Sequence, residues 1–198
     1  MLERRDLRAI FEIVKPNSKV LDLGCGDGLL LRELVLKKKV DGLGIEISLE
    51  KIKSCLNNGI SVIQEDLNEG LKDFKDNTFD YIVLSQTLEY IAHPIYLIQE
   101  MLRVGKKVVI SFENLAYWKN RITFLLNGDL KRARANDHSL FFRKKIQILT
   151  VKKFYDFCSY NEIQTSNQIY LPIKKLNFIQ TFPNLLSKIA IFILMGEN

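Results

Sequence analysis

The chain has 198 residues, and 47% of them are hydrophobic, which suits one globular domain with a sizeable core and excludes a disordered chain. No uncharged apolar run reaches the roughly 18 residues of a membrane span, and residues 1–6 are not followed by the apolar core of a secretory signal. The net charge of +6 is compatible with nucleic acid or an acidic partner, but the lysines are spread along the chain, which favours an ordinary solvated surface.

Helical and strand patterns alternate along the first 112 residues. Apolar residues at helical spacing predict a first helix over 2–15, and Pro16 follows it. Further helices are predicted over 29–36, 48–57 and 94–104, and strands over 19–23, 42–47, 60–64, 80–85 and 107–112. Strands separated by helical or turn-rich segments predict a parallel, doubly wound α/β sheet.

The last third of the chain has a different character. A helix with several aromatic residues is predicted over 115–126, and Thr150 is expected to cap a helix that runs through Cys158. The apolar segments 163–171 and 188–195 are interpreted as an antiparallel pair at one edge of an otherwise mostly parallel sheet. We predict a single domain over 1–198, in which 113–150 is a variable lid or partner-binding insertion.

The cysteines and histidines do not form a recognisable site. The three cysteines, Cys25, Cys55 and Cys158, have no paired spacing, which fits reduced thiols and a cytoplasmic location. His93 and His138 are far apart, and no Cys-x-x-Cys motif is present, so we predict no metal site. Cys25 lies within a glycine-rich loop, where it is interpreted as a small filler and not a nucleophile.

The glycine-rich loop after the first strand indicates the type of ligand. Gly24, Gly26 and Gly28 are spaced differently from the Gly-x-Gly-x-x-Gly motif of dinucleotide sites. Asp22 and Asp27 flank the loop, and two carboxylates there would repel a diphosphate. They suit a ligand with an ammonium and a sulfonium group, as in S-adenosylmethionine (SAM).

Two further carboxylates follow the next strands. Glu46 ends the second strand, 22 residues after Gly24, where an acidic side chain can accept hydrogen bonds from ribose hydroxyls. Asp66 follows the third strand and could accept from an adenine amino group, with Leu67 beside the ring. All of these residues are expected at strand carboxyl ends, where open α/β sheets bind ligands.

These motifs resemble those of class I SAM-dependent methyltransferases with a Rossmann-like sheet, over about residues 18–112. The segments 66–71, 79–88, 100–106 and 117–121 are more specifically similar to the methionine biosynthesis protein MetW family. SAM or S-adenosylhomocysteine is the cofactor that this resemblance implies. The residues predicted to contact it are Asp22, Gly24, Cys25, Gly26, Glu46, Ile47, Asp66, Leu67 and Ser85.

The MetW resemblance also implies a protein partner. The family is understood to associate with homoserine O-acyltransferase, so the chain is expected to be a SAM-binding accessory subunit in methionine biosynthesis. The sequence departs from the family at Glu113-Asn114-Leu115, where Pro-Asn-Phe is usual, and at Lys145-Ile146-Gln147, where Asn-Ile-His is usual. Both departures lie outside the predicted cofactor loop.

A catalytic residue is not identified from the sequence. Glu89, Tyr90 and His93 follow the fourth strand and are possible bases, but a solvated carboxylate, a pocket wall and a loop histidine are the competing interpretations. The alternative function is a SAM-dependent methyltransferase for a small molecule, with 113–150 as the acceptor lid. An RNA methyltransferase is a third hypothesis, based on Tyr117 and Trp118 as stacking residues and on a basic segment. That segment contains Lys131, Arg132, Arg134, Arg143, Lys144 and Lys145.

Overall fold

The structure is a computed structural model that describes residues 2–128, 148–172 and 178–195. Helices and strands alternate through the first part of the chain. The elements from the N-terminus to the fifth strand are α1 (Arg5–Ile13), β1 (Lys19–Leu23), α2 (Leu29–Lys38), β2 (Asp41–Glu46), α3 (Leu49–Asn57), β3 (Ser61–Gln64), β4 (Phe79–Ser85), α4 (Pro94–Val104) and β5 (Gly105–Glu113). Single 3-10 turns follow β3 and β4, at Leu67–Glu69 and Leu88–Tyr90.

The remaining described elements are α5 (Trp118–Asn127), α6 (Val151–Tyr160), β6 (Thr165–Leu171), α7 (Pro183–Leu186) and β7 (Ile189–Met195). The described strands form one seven-stranded sheet in the order β3-β2-β1-β4-β5-β7-β6. The first five strands pair in parallel, which confirms the predicted doubly wound α/β sheet. Two apolar clusters cover its two faces, as a parallel sheet requires.

The C-terminal strands form the antiparallel pair that the sequence predicts. β7 pairs antiparallel with both β5 and β6, so it is inserted between them and β6 forms the outer edge. Between β6 and β7 the described chain contains only the four-residue α7. The connection is long enough for a parallel crossover, which needs about a dozen residues, but a crossover is usually an α-helix and α7 has only four residues.

Helix α1 is packed on the sheet by its apolar stripe. Ile10 and Val14 are buried in the cluster that also contains residues of β1, β4 and β7. Lys38 donates hydrogen bonds to the carbonyl oxygens of Phe11 and Val14, so it satisfies acceptors near the C-terminus of α1. Lys38 lies in the last turn of α2, so it connects the C-terminal ends of α1 and α2.

One of the segments that resemble the MetW family has a structural role. Arg103, in α4, donates hydrogen bonds to Glu100 and Asp76 and to the carbonyl oxygens of Leu71 and Phe74. These contacts fix the loop before β4. The arginine of this segment therefore stabilises the fold and does not belong to the cavity described below.

The segment after β5 is organised by one buried asparagine. The side-chain amide of Asn114 donates to the carbonyl oxygens of Asn184 and Ser187, and its oxygen accepts from the backbone N–H groups of Ala116 and Val151. Asn114 therefore joins the end of β5 to α6 and α7. The Thr150 hydroxyl accepts a hydrogen bond from the N–H of Lys153, which confirms the predicted cap of α6.

Several sequence predictions concern residues that the structure does not describe. The basic segment 131–145, including Lys131, Arg132, Arg134, Arg143, Lys144 and Lys145, lies outside the described residues, as does half of the predicted insertion 113–150. Among the helices that are described, none combines the length and the apolar character needed to cross a bilayer.

Candidate functional site

Residues at the carboxyl ends of β1, β2 and β4 line a cavity of about 410 Å³. Its volume lies within the range of about 300–1,000 Å³ that is typical of small-molecule sites. Every residue predicted as a cofactor contact lies in its wall: Asp22, Gly24, Cys25, Gly26, Glu46, Ile47, Asp66, Leu67 and Ser85. The sheet topology thus brings together residues that are dispersed over 64 positions of the sequence.

The glycine loop adopts a conformation that other residues rarely take. Gly24 and Gly26 have φ values of 67° and 60°, in the left-handed region. A Cβ atom at Gly24 would lie 2.8 Å from Oγ1 of Thr87, so glycine allows the loop to approach the end of β4. A Cβ atom at Gly26 would meet no atom within 4 Å, so this residue leaves open space beside the backbone.

The side chain of Cys25 packs between the glycine loop and strand β2. A Cβ atom at Gly44 of β2 would lie 2.6 Å from Cys25 Sγ, so the glycine provides the room that the thiol occupies. Cys25 Sγ is 3.8 Å from Cys55 Sγ, and Cys55 donates a hydrogen bond to the carbonyl oxygen of Gly26. Burial raises the pKa of both thiols, which keeps them protonated and agrees with the interpretation of Cys25 as a filler.

Glu46 is buried, and its carboxylate fixes the backbone of the glycine loop through hydrogen bonds. Oε2 accepts a hydrogen bond of 2.9 Å from the N–H of Gly26, and Oε1 accepts bonds of 3.0 Å from the N–H groups of Ile47 and Ser48. A carboxylate offers about four acceptor positions, so one of them is left on Oε2. The sequence predicted that Glu46 would accept hydrogen bonds from ribose, but it did not reveal that Glu46 also stabilises the glycine loop.

Asp22 is a buried carboxylate at the centre of the site. It is 3% exposed, and none of the described residues donates a hydrogen bond to its side chain. Burial raises the pKa of Asp22 to about 7; the positive charge of Arg4 opposes this shift, and the negative charge of Glu46 adds to it. The site therefore contains a desolvated acid whose ionised form would be stabilised by a cationic ligand group.

An arginine from the N-terminal segment also reaches the cavity. Arg4 lies in the cavity wall, and its guanidinium pairs with both oxygens of the fully buried Asp6. Asp6 Oδ2 also accepts hydrogen bonds from the Ser85 hydroxyl, the Gln86 amide and the Ser111 hydroxyl. Burial acts to raise the pKa of Asp6, but the hydrogen bonds and charge of Arg4, together with the hydrogen bonds from Ser85 and Ser111, outweigh it and lower that pKa below its usual value.

The sequence alone does not reveal this N-terminal contribution. Arg4 and Asp6 lie in an ordinary charged helix start, and an arginine two residues from an aspartate is no signal of burial. Leu7 of the same helix and Gln86 and Thr87 after β4 complete the wall on this side. The last two fall within a segment that resembles the family, which could have identified them.

The other side of the cavity is closed by the turns after β3 and β4. Asp66 Oδ1 accepts hydrogen bonds from the backbone and side-chain N–H groups of Asn68. The Asn68 oxygen accepts in turn from the N–H of Ala92, which joins the two turns. Asp66 Oδ2 accepts no hydrogen bond from the described residues, so it keeps its acceptor capacity.

The three possible bases are placed differently. Tyr90 lies in the cavity wall, whereas Glu89 and His93 do not. Glu89 is half-buried in the 3-10 turn, and His93 is exposed before α4. Among the described residues no group of three or more His, Cys, Asp or Glu side chains could hold a metal ion.

The sequence of the whole chain identifies its family. The family described as "Methionine biosynthesis protein MetW" matches residues 4–194. The chain belongs to this family. The match begins at Arg4, so it includes the N-terminal arginine of the cavity as well as the glycine loop and the C-terminal strands.

Curated relatives match part of their own length. A bifunctional methionine biosynthesis protein MetXA/MetW from Rhodopirellula baltica is 38% identical over 136 residues, which are 65% of this chain and 22% of that protein. A ubiquinone biosynthesis O-methyltransferase from Nitrosococcus oceani is 30% identical over 105 residues, 49% of this chain and 44% of that protein. The chain spans less than half the length of both relatives.

Solved structures share the fold at low identity. A SAM-dependent methyltransferase from Archaeoglobus fulgidus has a TM-score of 0.68 at 17% identity, over 96% of this chain and 91% of that one. The [4+2]-cyclase SpnF has a TM-score of 0.67 at 13% identity, over 97% of this chain and 80% of that one. These likenesses show a methyltransferase-type fold, and since a cyclase shares it, the fold alone does not define the reaction.

Proposed function

We propose that this chain is a SAM-binding accessory subunit of a homoserine O-acyltransferase, acting in methionine biosynthesis in the cytoplasm. The observation that carries the SAM proposal is the buried carboxylate of Asp22, which has no described hydrogen-bond donor, in the wall of a cavity of about 410 Å³. A buried anion is costly unless it is paired, and a ligand with an ammonium group supplies the partner.

The residues of the cavity fit the two ends of SAM. Asp22 would take the ammonium of the methionine moiety, and Arg4, which lies in the same wall, would take its carboxylate. The remaining acceptor position of Glu46 and the available oxygen of Asp66 suit ribose and adenine, beside the apolar Leu67. S-adenosylhomocysteine shares these groups and would occupy the same residues.

The partner is proposed from the fused relative. In the Rhodopirellula baltica protein a MetXA part and a MetW part belong to one chain. Fusion keeps two modules at high effective concentration, and modules that work together as separate chains benefit from it. The present chain is similar to the MetW part, so it is proposed to associate with a separate homoserine O-acyltransferase.

Two experiments test the two halves of this proposal. Equilibrium dialysis with SAM should show saturable binding that is lost with Asp22→Ala. The rate of homoserine acylation should change when the purified chain is added to the acyltransferase of the same organism, and should change again with saturating SAM. An acylation rate that is the same with and without the chain would exclude the accessory role.

A small-molecule methyltransferase is the second candidate. Tyr90 in the cavity wall is the observation that favours it, because a tyrosine can act as a base or orient an acceptor. Incubation of a cell extract with methyl-labelled SAM and the chain would then transfer label to a small molecule, and Tyr90→Phe would reduce the transfer. Absence of labelled product would leave the accessory role as the function.

A further inference from the structure

Helix α5 presents its apolar side to solvent. It has no buried residue along Trp118–Asn127. Leu125 and Leu126 are 82% and 76% exposed, and Ile122 is 46% exposed. Scattered exposed apolar residues are normal on proteins, but here they form a stripe on a single helix, at positions i, i+4, i+7 and i+8: Trp118, Ile122, Leu125 and Leu126.

The residues of α5 that are turned toward the protein are polar, although the exposed Phe124 lies on the same side of the helix as Asn120. Asn120 and Thr123 are the half-buried residues of the helix, and they lie about 175° and about 115° around the helix from the centre of the stripe. The Asn120 amide donates to the carbonyl oxygens of Asn114 and Leu115. The helix is therefore attached to the domain by its polar side, which is the reverse of an ordinary surface helix.

Basic side chains flank the stripe. Lys119 Nζ lies 5.6 Å from the ring centroid of Trp118, and the Nε atom of Arg121 donates to the carbonyl oxygen of Ala116. An apolar centre with aromatic residues, bordered by charged ones, is the usual composition of a protein interface. A partner that fits it has an apolar patch bordered by acidic residues.

We propose that the stripe of α5 is the surface that docks the homoserine O-acyltransferase; this inference rests on the proposed function. The fused MetXA/MetW relative supplies the partner, and the stripe supplies a surface that the described part of this chain leaves uncovered. α5 begins five residues after β5 ends at Glu113, at the edge of the sheet where the strands carry the cavity. Docking there would place the acyltransferase beside the SAM site.

The test compares two pairs of exposed leucines. In one variant Leu125 and Leu126 are changed to aspartate (Leu125→Asp/Leu126→Asp). In the control Leu36 of α2 and Leu56 of α3, which are 68% and 59% exposed, are changed in the same way (Leu36→Asp/Leu56→Asp). Binding of each protein to the purified acyltransferase is measured by sedimentation velocity, together with SAM affinity and the melting temperature of the isolated chain.

The proposal expects the α5 variant to bind the acyltransferase at least about tenfold more weakly than the unmodified chain, as for central interface residues. The control should bind normally, and both variants should retain SAM affinity. Equal binding by the α5 variant and the control would overturn the docking surface but leave the accessory role intact. Failure of the unmodified chain to bind the acyltransferase would instead overturn the accessory role, and the docking surface with it.

Two other occupants of the stripe give distinct results. If a second copy of the chain covers it, the unmodified chain will dimerise and only the α5 variant will become monomeric, with its acyltransferase binding unchanged. If another part of the same chain covers it, the α5 variant will melt at a lower temperature than the control. Either result would overturn the proposal.

Discussion

The Nη2 atom of Arg4 lies 2.7 Å from the hydroxyl oxygen of Ser85, which joins the N-terminal segment to the end of β4 across 81 positions of the sequence. The same guanidinium neutralises the buried Asp6, whose carboxylate also accepts from Ser111 of β5. The start of α1 is thus attached to the wall of the cavity. A ligand that binds Arg4 would change the contacts of this side chain with Asp6 and Ser85. Ligand binding and the attachment of the N-terminal helix are therefore physically coupled.

Arg4→Ala is expected to destabilise the fold at neutral pH by about 1–3 kcal/mol, because it leaves the buried carboxylate of Asp6 without its charged partner; the loss is smaller than for a fully buried pair, since the Arg4 side chain is 40% exposed. The arginine lowers the pKa of Asp6, so this stabilisation is present above the ordinary value of 3.8 and is lost as the pH falls through the lower folded value. Urea unfolding of both proteins at pH 7 and pH 3.5 measures the difference. A loss of stability that is the same at both pH values would contradict the assignment.

The sheet could be predicted because its signals are local. The apolar strands and the glycine loop are contiguous in sequence, and parallel topology then places Asp22, Glu46 and Asp66 at one edge. The burial of Asp6 could not be predicted, because its partners Ser85 and Ser111 are 79 and 105 residues away. Charged pairs near a helix start are usually solvated, and only the tertiary contacts distinguish this one.

A helix with several aromatic residues was predicted over 115–126 and is observed at Trp118–Asn127, but the direction in which its apolar side faces could not be predicted. The stripe that includes Ile122 and Leu125 would ordinarily face the core. Here the partly buried hydrogen bonds of Asn114 and Asn120 determine how the helix attaches, and they hold Asn120 inward. These hydrogen bonds connect the helix to the loop directly before it, and such contacts produce no periodic pattern in the sequence.

Glu46→Ala should weaken SAM binding by more than about tenfold, since charged hydrogen bonds contribute roughly 1.5–3 kcal/mol each. It should also lower the melting temperature, because the carboxylate accepts from the backbone N–H groups of Gly26, Ile47 and Ser48. Calorimetric titration and thermal unfolding measure the two effects. Glu50→Ala in α3, at an exposed glutamate, is the matched control and should change neither.

Asp22 should make both stability and SAM affinity depend on pH. Its pKa is raised from 3.8 to about 7, mainly by burial, so the folded protein retains a proton that the unfolded chain releases. The stability contributed by this group therefore falls as the pH rises from about 4 to about 7 and is constant above that range. Asp22→Asn should remove this slope and be more stable than the unmodified chain at pH 8.

The same proton is linked to binding. If the ionised Asp22 pairs with the ammonium of SAM, affinity should increase between pH 5 and about 7.5 as the carboxyl deprotonates near pH 7. Titration calorimetry at pH 6 in buffers of different ionisation enthalpy should detect a proton released on binding. No proton release, or unchanged affinity for Asp22→Asn, would show that the cation of the ligand is bound elsewhere.

Two glycine substitutions should separate folding from ligand binding. Gly24→Ala and Gly26→Ala both place an alanine at positive φ, which costs about 1–2 kcal/mol. At Gly24 the new methyl group also meets the Thr87 side chain at 2.8 Å, so this variant should be the less stable of the two. At Gly26 the methyl group has open space within 4 Å, but it occupies the wall of the cavity. Gly26→Ala should therefore melt at a higher temperature than Gly24→Ala while binding SAM more weakly than the unmodified chain, and normal SAM affinity in this variant would mean that the ligand does not approach the loop.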